Sequence, residues 1–239
     1  MRIVHLSDLH MRYHLAGEST IARRRSRSVA ALLLAARDRV AALAPDLIVV
    51  TGDVLEYPSH LDETPDVHDR GRQDLLLVKE WLDSLATRYC VLPGNHDHRG
   101  LVEEVFGPST QFDLGGHRVI TFHDEEDAHH VPHRLGRERR RFEAALADAA
   151  SPLQIHVQHF LLWPPYRDEY PYAYEDAEEL AEAIALSGQV RLALSGHYHE
   201  GIPPQRLGHT WFATAPAFCQ DPHPFWAYDL QETGLEHHR

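Results

Sequence analysis

Residues 89–97 read Tyr-Cys-Val-Leu-Pro-Gly-Asn-His-Asp and carry more information about the fold than any other part of the sequence. Its first four residues have the apolar, strand-forming character of a short buried strand. Pro93 and Gly94 end that strand and turn the chain into an Asn-His-Asp block. A buried strand that ends in side chains able to bind metal is typical of a site built at strand ends in a layered α/β domain.

Four more polar blocks lie in order along the chain: Asp8-Leu9-His10 and Gly52-Asp53 before this stretch, His159 and Gly196-His197-Tyr198-His199 after it. Carboxylate, amide and imidazole groups suit Mn, Fe or Zn better than Ca or Mg, which prefer all-oxygen shells. Asp8 and His10 are two positions apart, so in an extended segment both can reach one metal, and the pair His197 and His199 repeats that spacing. A single Asp-x-His is usually a solvated turn, but five such blocks in order predict a two-metal hydrolytic site.

The segments between the blocks predict an alternation of strands and helices. In the first half we expect strands over residues 3–6, 47–51 and 89–92, and helices from a cap at Ser19 or Thr20 to about Leu43 and over residues 74–86. In the second half we expect strands over 118–122, 153–158 and 190–194, helices over 138–150 and 176–186, and strands and turns over 202–230. This order predicts one α/β domain, residues 1–239, with two facing sheets.

Composition limits the classes of partner. The chain has 239 residues, a net charge of −13 and no apolar run near the ~18 residues of a membrane span. We expect no signal peptide, because the first residues enter a strand pattern at once. The negative charge disfavours nucleic acid but allows a small phosphorylated substrate, since two bound cations reverse the local field. Cys90 and Cys219 predict buried free thiols in a cytoplasmic protein; the oligomeric state is left open.

The five blocks together resemble the motifs of the calcineurin-like metallophosphoesterase superfamily, from residue 8 to residue 199. The resemblance implies a four-layer α/β/β/α sandwich with two facing mixed β-sheets flanked by helices and a dimetal site at the carboxyl ends of the strands. It also implies ligands for two metals (Mn, Fe or Zn): Asp8, His10 and His199 for the first, Asn95, His159 and His197 for the second, and Asp53 bridging both.

His96 adjoins the ligand Asn95, and the resemblance implies that it faces the substrate and protonates the leaving group. In many relatives a carboxylate three residues after the bridging Asp orients this histidine. Glu56 holds that position here, in place of the more usual Asp. Tyr57 follows it where the phosphoprotein phosphatase branch has Arg, which argues against a protein phosphatase.

Three features leave alternatives open. His156 is a rival ligand on the strand that leads to His159, and we prefer His159 because it lies at the strand's end. The aromatic loop, residues 163–174, either stacks on a planar group of a substrate or packs on its own domain. The two arginine runs, residues 23–27 and 137–141, predict solvated helix faces, although an arginine of the first run could also contact a substrate phosphate.

These observations favour a phosphodiesterase that acts on a small phosphodiester such as a cyclic nucleotide. One alternative is a phosphomonoesterase on a nucleotide or sugar phosphate. The other is a metal-binding scaffold without turnover, whose mark would be the loss of His96 or of several ligands. Since the chain keeps all of these residues, the sequence favours an enzyme.

Overall fold

The computed structural model describes residues 1–58, 64–108, 110–165, 173–232 and 234–238. Its contacts divide the chain into two compact units, residues 1–108 with 217–239 and residues 109–216. Along the described residues the elements are β1 (Arg2–Leu6), α1 (Val29–Ala42), β2 (Leu47–Val50), α2 (Pro65–Asp83), β3 (Arg88–Val91), α3 (Arg99–Phe106), β4 (Gln111–Leu114), β5 (His117–Thr121), β6 (Glu125–Glu126), β7 (Pro132–His133), α4 (Gly136–Ala147), β8 (Gln154–Val157), α5 (Ala177–Ser187), β9 (Val190–Ser195), β10 (Ile202–Leu207), β11 (Thr210–Thr214), β12 (Trp226–Leu230) and β13 (Leu235–His238).

The first unit contains a five-stranded mixed sheet in the order β13-β12-β1-β2-β3. β1, β2 and β3 are parallel neighbours, whereas β12 and β13 run antiparallel to the strands beside them. β2 is apolar and buried along its whole length, and β1 is buried except at Arg2. Buried parallel strands are covered on both faces, and the packed residues of α1 and α2 belong to the same core as β1 and β2.

The second unit contains a six-stranded mixed sheet in the order β10-β11-β9-β8-β5-β4, together with the short pair β6-β7. Here β5, β8, β9 and β11 are parallel, and β4 and β10 pair antiparallel at the two edges. Its core packs aromatic and aliphatic residues of the sheet against α4 and α5. The α/β class with two mixed sheets and flanking helices is therefore confirmed; a single domain over residues 1–239 stays a prediction.

Two predicted helix starts are wrong. α1 begins at Val29 rather than near Ser19, because backbone hydrogen bonds to Ser26 and from Arg25 hold the preceding segment in turns. α2 begins at Pro65 instead of residue 74: the Thr64 side chain accepts a hydrogen bond from the Val67 N–H, and Pro65 suits the first helical position. The early turns of α2 are exposed and polar, so they carry little hydrophobic periodicity.

Several short elements were not predicted: α3, β4, the β6-β7 pair and β13. The absence of a helix between residues 202 and 230 is confirmed, since that stretch holds β10, β11 and β12. Within the described ranges, no helix combines the length and apolar character that a membrane span requires.

Candidate metal centre

The predicted site residues of the first unit follow the ends of three adjacent parallel strands. Asp8 and His10 come after β1, Asp53 after β2, and Asn95 and His96 after β3. Because β1, β2 and β3 are parallel neighbours, their carboxyl ends lie at one edge of the sheet. The topology of this unit therefore brings its three polar blocks together, as the sequence predicted.

The loops that carry these residues continue the sheet's hydrogen bonding past the strand ends. The Asp8 N–H donates to the Gly52 carbonyl at 3.1 Å, and the His10 N–H donates to the Asp53 carbonyl at 2.8 Å. Asp8, His10 and Asp53 have φ values of 54°, 46° and 50°. Non-glycine residues held in this left-handed region cost about 1–3 kcal/mol each and cluster at functional sites. All three residues thus have a strained backbone directly after the strand ends.

A buried cluster of carboxylates and imidazole results. His10 Nε2 lies 3.4 Å from Asp53 Oδ2 and 3.9 Å from Asp8 Oδ1, and all three side chains are buried. His10, Asp53 and His96 each offer a ligand atom within 4.8 Å of the others. Burial lowers the pKa of His10 to about 4, although Asp53 raises it, so the imidazole is neutral near pH 7. Neutral imidazole beside two carboxylates is a donor set that fits a divalent transition metal.

Asp97 connects the loop after β2 to the loop after β3 by hydrogen bonds, and the sequence analysis did not predict this role. Its carboxylate accepts hydrogen bonds from the backbone N–H groups of Gly94 at 2.8 Å, Val54 at 3.0 Å and Leu55 at 2.6 Å. Burial and the charge of Asp53 raise the pKa of Asp97 to about 7, although the three backbone hydrogen bonds lower it. In the sequence, the feature that could have indicated a role for Asp97 is its position directly after Asn95 and His96, in the same polar block.

Asp53 also fixes the neighbouring histidine. Its Oδ1 accepts a hydrogen bond from the His96 backbone N–H at 2.8 Å. The His96 ring stands edge-on to the His10 ring, with centroids 4.8 Å apart, and its side chain is 32% exposed. His96 is thus the accessible member of the cluster, as a group that meets a substrate must be.

Glu56 lies closer to His10 than to His96. Its Oε2 is 2.9 Å from His10 Nδ1, whereas its Oε1 is 3.7 Å from His96 Nδ1, which is longer than a hydrogen bond. Both oxygens accept from Arg24 Nη1, at 2.9 and 2.7 Å. Burial raises the pKa of Glu56, but His10 and Arg24 outweigh it and bring the pKa to about 2. An orienting role toward His96 stays a prediction.

Arg24 departs from the expectation of a solvated helix face. It lies in the turns before α1, and only 7% of its side chain is exposed. The second run lies within α4, where Arg139 pairs with Glu143 and with Asp176 and Glu179 near α5. These contacts of Arg139 are ordinary surface pairs, of little energetic value.

In the second unit, the predicted histidines follow two adjacent parallel strands. His159 comes after β8, and His197 and His199 come after β9. His197 Nδ1 lies 3.2 Å from His159 Nε2, both rings are buried, and His197 has a φ of 65°. Two buried imidazole nitrogens this close together, one of them on a strained turn, are suited to share a bound cation.

The rival ligand His156 has a different environment. It lies inside β8, where its Nε2 is 2.8 Å from Gln154 Oε1 and its ring packs edge-on against Phe122 and Phe142. Burial lowers its pKa well below the usual range. His156 therefore belongs to the core of this unit, which favours His159 as the ligand.

The aromatic loop is described only at its ends, and residues 166–172 lie outside the described residues. Trp163 packs near Phe212, with ring centroids 6.5 Å apart. The Tyr174 hydroxyl donates to buried Asp124 at 2.6 Å, beside the buried Arg134. Both ends thus pack on the second unit, and stacking by the middle of the loop stays a prediction.

Comparison with known proteins assigns the family. A model of the calcineurin-like phosphoesterase family matches residues 1–201. The chain belongs to this family. The match confirms the predicted membership of the calcineurin-like family.

Relatives of this metallophosphoesterase agree with the assignment. Over 182 residues it is 29% identical to a protein of Synechococcus sp. described as a probable cyclic nucleotide phosphodiesterase; the match covers 73% of this chain and 65%, slightly under two thirds, of the relative. A dimetal phosphatase from Danio rerio shares the fold, with a TM-score of 0.72, 16% identity, and coverage of 97% of this chain and 93% of its own. The protein TT1561 of Thermus thermophilus also shares it, with a TM-score of 0.60, 15% identity, and coverage of 99% and 97%.

Proposed function

We propose that this metallophosphoesterase is a dimetal phosphodiesterase that hydrolyses a small phosphodiester such as a cyclic nucleotide. The observation that carries the proposal is the buried cluster of His10 and Asp53 with the partly exposed His96 at the carboxyl ends of parallel strands. The description of the Synechococcus relative as a probable cyclic nucleotide phosphodiesterase supports the choice of a diester.

The proposed metal ligands follow the family's motif order. Asp8, His10 and His199 would bind the first metal, and Asn95, His159 and His197 the second, with Asp53 bridging both. The support for one shared centre is the order of the five blocks and the family match over residues 1–201. Mn, Fe or Zn suits this mixture of carboxylate, amide and imidazole. When bound, such a pair supplies a hydroxide near neutral pH and positive charge for the phosphoryl oxygens.

The chain's own side chains complete the chemistry. His96 would donate a proton to the departing alkoxide, since its ring is accessible and its backbone is held by Asp53. Glu56 would contribute indirectly, by orienting the imidazole rings of His10 and His96 beside it. Hydrogen-bonded loops at the strand ends keep these groups in place before a substrate arrives, which lowers the cost of organising the transition state.

The rest of the proposal concerns the setting of the enzyme. The proposed partner is a small phosphorylated molecule. A net charge of −13 repels a long anionic polymer, whereas bound cations make the field positive locally, where a small phosphate would bind. A cytoplasmic location is part of the proposal, and it is supported by Cys90 and Cys219, which are both free and buried.

Turnover of matched substrates tests the function. The protein loaded with Mn²⁺ is assayed with bis-(p-nitrophenyl) phosphate, p-nitrophenyl phosphate and a cyclic nucleotide. We expect the diesters to be hydrolysed with higher kcat/KM than the monoester, and activity to disappear in Asp53→Asn but not in the control His129→Ala, an exposed residue outside the blocks. Preference for the monoester would assign a phosphomonoesterase, and no turnover of either substrate class by the metal-loaded protein would assign a scaffold.

A further inference from the structure

We propose that Arg24 is a positioning residue that holds the Glu56 carboxylate against His10, so that His10 presents Nε2 to the metal. The inference rests on the proposed function and deepens it. It also assigns Glu56 to His10, a metal ligand in the proposal, in addition to any role toward His96.

The contacts of Arg24 are those of a buried ion pair. Its Nη1 donates to both oxygens of Glu56, at 2.9 and 2.7 Å, and the two side chains are only 7% and 11% exposed. The backbone around it is anchored, since the Arg24 N–H donates to the Ile21 carbonyl and the next N–H, of Arg25, donates to the Cys219 carbonyl. A buried pair of this kind is costly to break, because the remaining charge is left without its partner.

Glu56 needs such a restraint because of its length. It has one methylene more than the Asp usual at this position, so its carboxylate can reach further and could rotate toward a nearby cation. Its backbone is fixed, because the Glu56 carbonyl accepts from Arg12 Nε at 2.8 Å. With the main chain fixed, the side-chain direction depends on what the carboxylate contacts, and Arg24 contacts both of its oxygens.

The position of the Glu56 carboxylate determines which ring nitrogen of His10 carries the proton. Its Nδ1 faces Glu56 at 2.9 Å, and its Nε2 faces Asp53 at 3.4 Å. A carboxylate beside Nδ1 favours the proton on that nitrogen, which leaves the lone pair of Nε2 available to a metal, and such outer partners tune ligand basicity. Arg24, Glu56 and His10 thus form a chain of contacts that ends at the proposed bridging carboxylate.

The neighbours of Arg24 do not share this arrangement. Arg25 pairs with Asp221 at the surface, where the side chains are 55% and 70% exposed. Arg27 donates to the backbone carbonyls of Arg12 and Leu15. Arg25 thus pairs at the surface and Arg27 binds backbone, whereas the charge of Arg24 reaches the cluster.

The test compares Arg24→Gln, Arg24→Lys, Glu56→Gln and the double variant Arg24→Gln/Glu56→Gln, with Arg25→Gln as the surface control. Mn²⁺ affinity is measured by calorimetry on metal-free protein, and the tautomer of His10 is read from ¹⁵N NMR of its imidazole, with and without Zn²⁺. We expect Arg24→Gln to weaken Mn²⁺ binding roughly 10–100-fold, the usual scale for an outer partner of a ligand. Arg24→Lys should recover part of the loss, and Arg25→Gln should bind as the unmodified protein does.

The double variant decides between positioning and independent action. If Arg24 acts through Glu56, Arg24→Gln/Glu56→Gln binds Mn²⁺ no more weakly than Glu56→Gln alone; losses that multiply would overturn the proposal. An unchanged affinity and tautomer in folded Arg24→Gln would overturn it as well. If Arg24→Gln does not fold, the charge-conserving Arg24→Lys carries the test, through its shift in affinity and tautomer relative to Arg25→Gln. None of these readouts uses turnover, so a protein that binds metal in an Arg24-dependent way but hydrolyses no phosphodiester refutes the proposed function alone.

Discussion

At the residue scale, Asp53 is the centre of the first unit's cluster. It is almost fully buried, its φ is 50°, one oxygen accepts the His96 N–H and the other lies 3.4 Å from His10 Nε2. A side chain so constrained is already fixed in direction before any cation binds. That is the property required of a carboxylate that bridges two metals.

Asp53→Asn should reduce metal occupancy more than Asn95→Ala. The amide oxygen can still accept from the His96 N–H, so the loop keeps its hydrogen bond, but the neutral group cannot balance two cations. Elemental analysis of protein purified in parallel measures the bound metal per chain. Two metals retained in Asp53→Asn would contradict the bridging assignment.

His96→Ala should retain both metals and lose roughly 10²–10⁴ in kcat, the usual contribution of a general acid. The loss should be larger for an alkyl ester than for a p-nitrophenyl ester, because p-nitrophenolate leaves without a proton. Kinetics on both esters, with metal analysis of the same samples, separate the roles. Equal losses would show that His96 acts by binding phosphate, and loss of metal would show that it is a ligand.

At the scale of elements, the active loops are held by side chains that bond to backbone. Asp97 joins the loop after β3 to the loop after β2 through three N–H groups. Asp74, inside α2, does the same for the segment after β1, accepting from the N–H groups of Tyr13, His14 and Leu15. These buried carboxylates add side-chain acceptors to the backbone hydrogen bonds that continue beyond the strand ends.

Asp97→Ala should lower the free energy of unfolding by roughly 3 kcal/mol or more, since each buried donor left without an acceptor costs about 1–3 kcal/mol. Asp97→Asn should cost less, because its amide oxygen still accepts and burial already disfavours the charge of this carboxyl. Urea unfolding of both variants measures the difference. An equal loss in the two variants would show that the acceptor atoms are not what stabilises these loops.

At the scale of the whole molecule, metal binding should contribute to stability as well as to activity. The purified protein should contain up to two transition-metal ions per chain, and a chelator should abolish turnover and lower Tm. A site saturated to about 100 times its Kd contributes ~2.7 kcal/mol to folding. Elemental analysis and thermal unfolding with and without chelator test this. Metal-free protein with chelator-resistant turnover would refute the dimetal proposal.

The fold class and the candidate site residues could be predicted from the amino-acid sequence alone. Short apolar strands followed by polar blocks are a local pattern, and parallel strands in one sheet must end at one edge, so the order of residues was enough to group Asp8, Asp53 and Asn95. Helix starts were less well predicted, because turns 19–28 and the polar first turns of α2 lack the apolar period that marks a buried face.

The contacts that these residues make could be read from the three-dimensional structure but not from the sequence. Arg24 and Glu56 are 32 positions apart, and Asp97 binds backbone 42 and 43 positions away. No periodicity records such pairs, because they depend on how loops close after the strands are aligned. For the same reason, the sequence could only favour His159 over His156 as the metal ligand. Packing distinguishes the two residues, because the His156 ring faces Phe122 whereas the His159 ring faces His197. Local pattern fixes where a chain is extended or helical, whereas burial and long-range hydrogen bonding fix what each side chain meets.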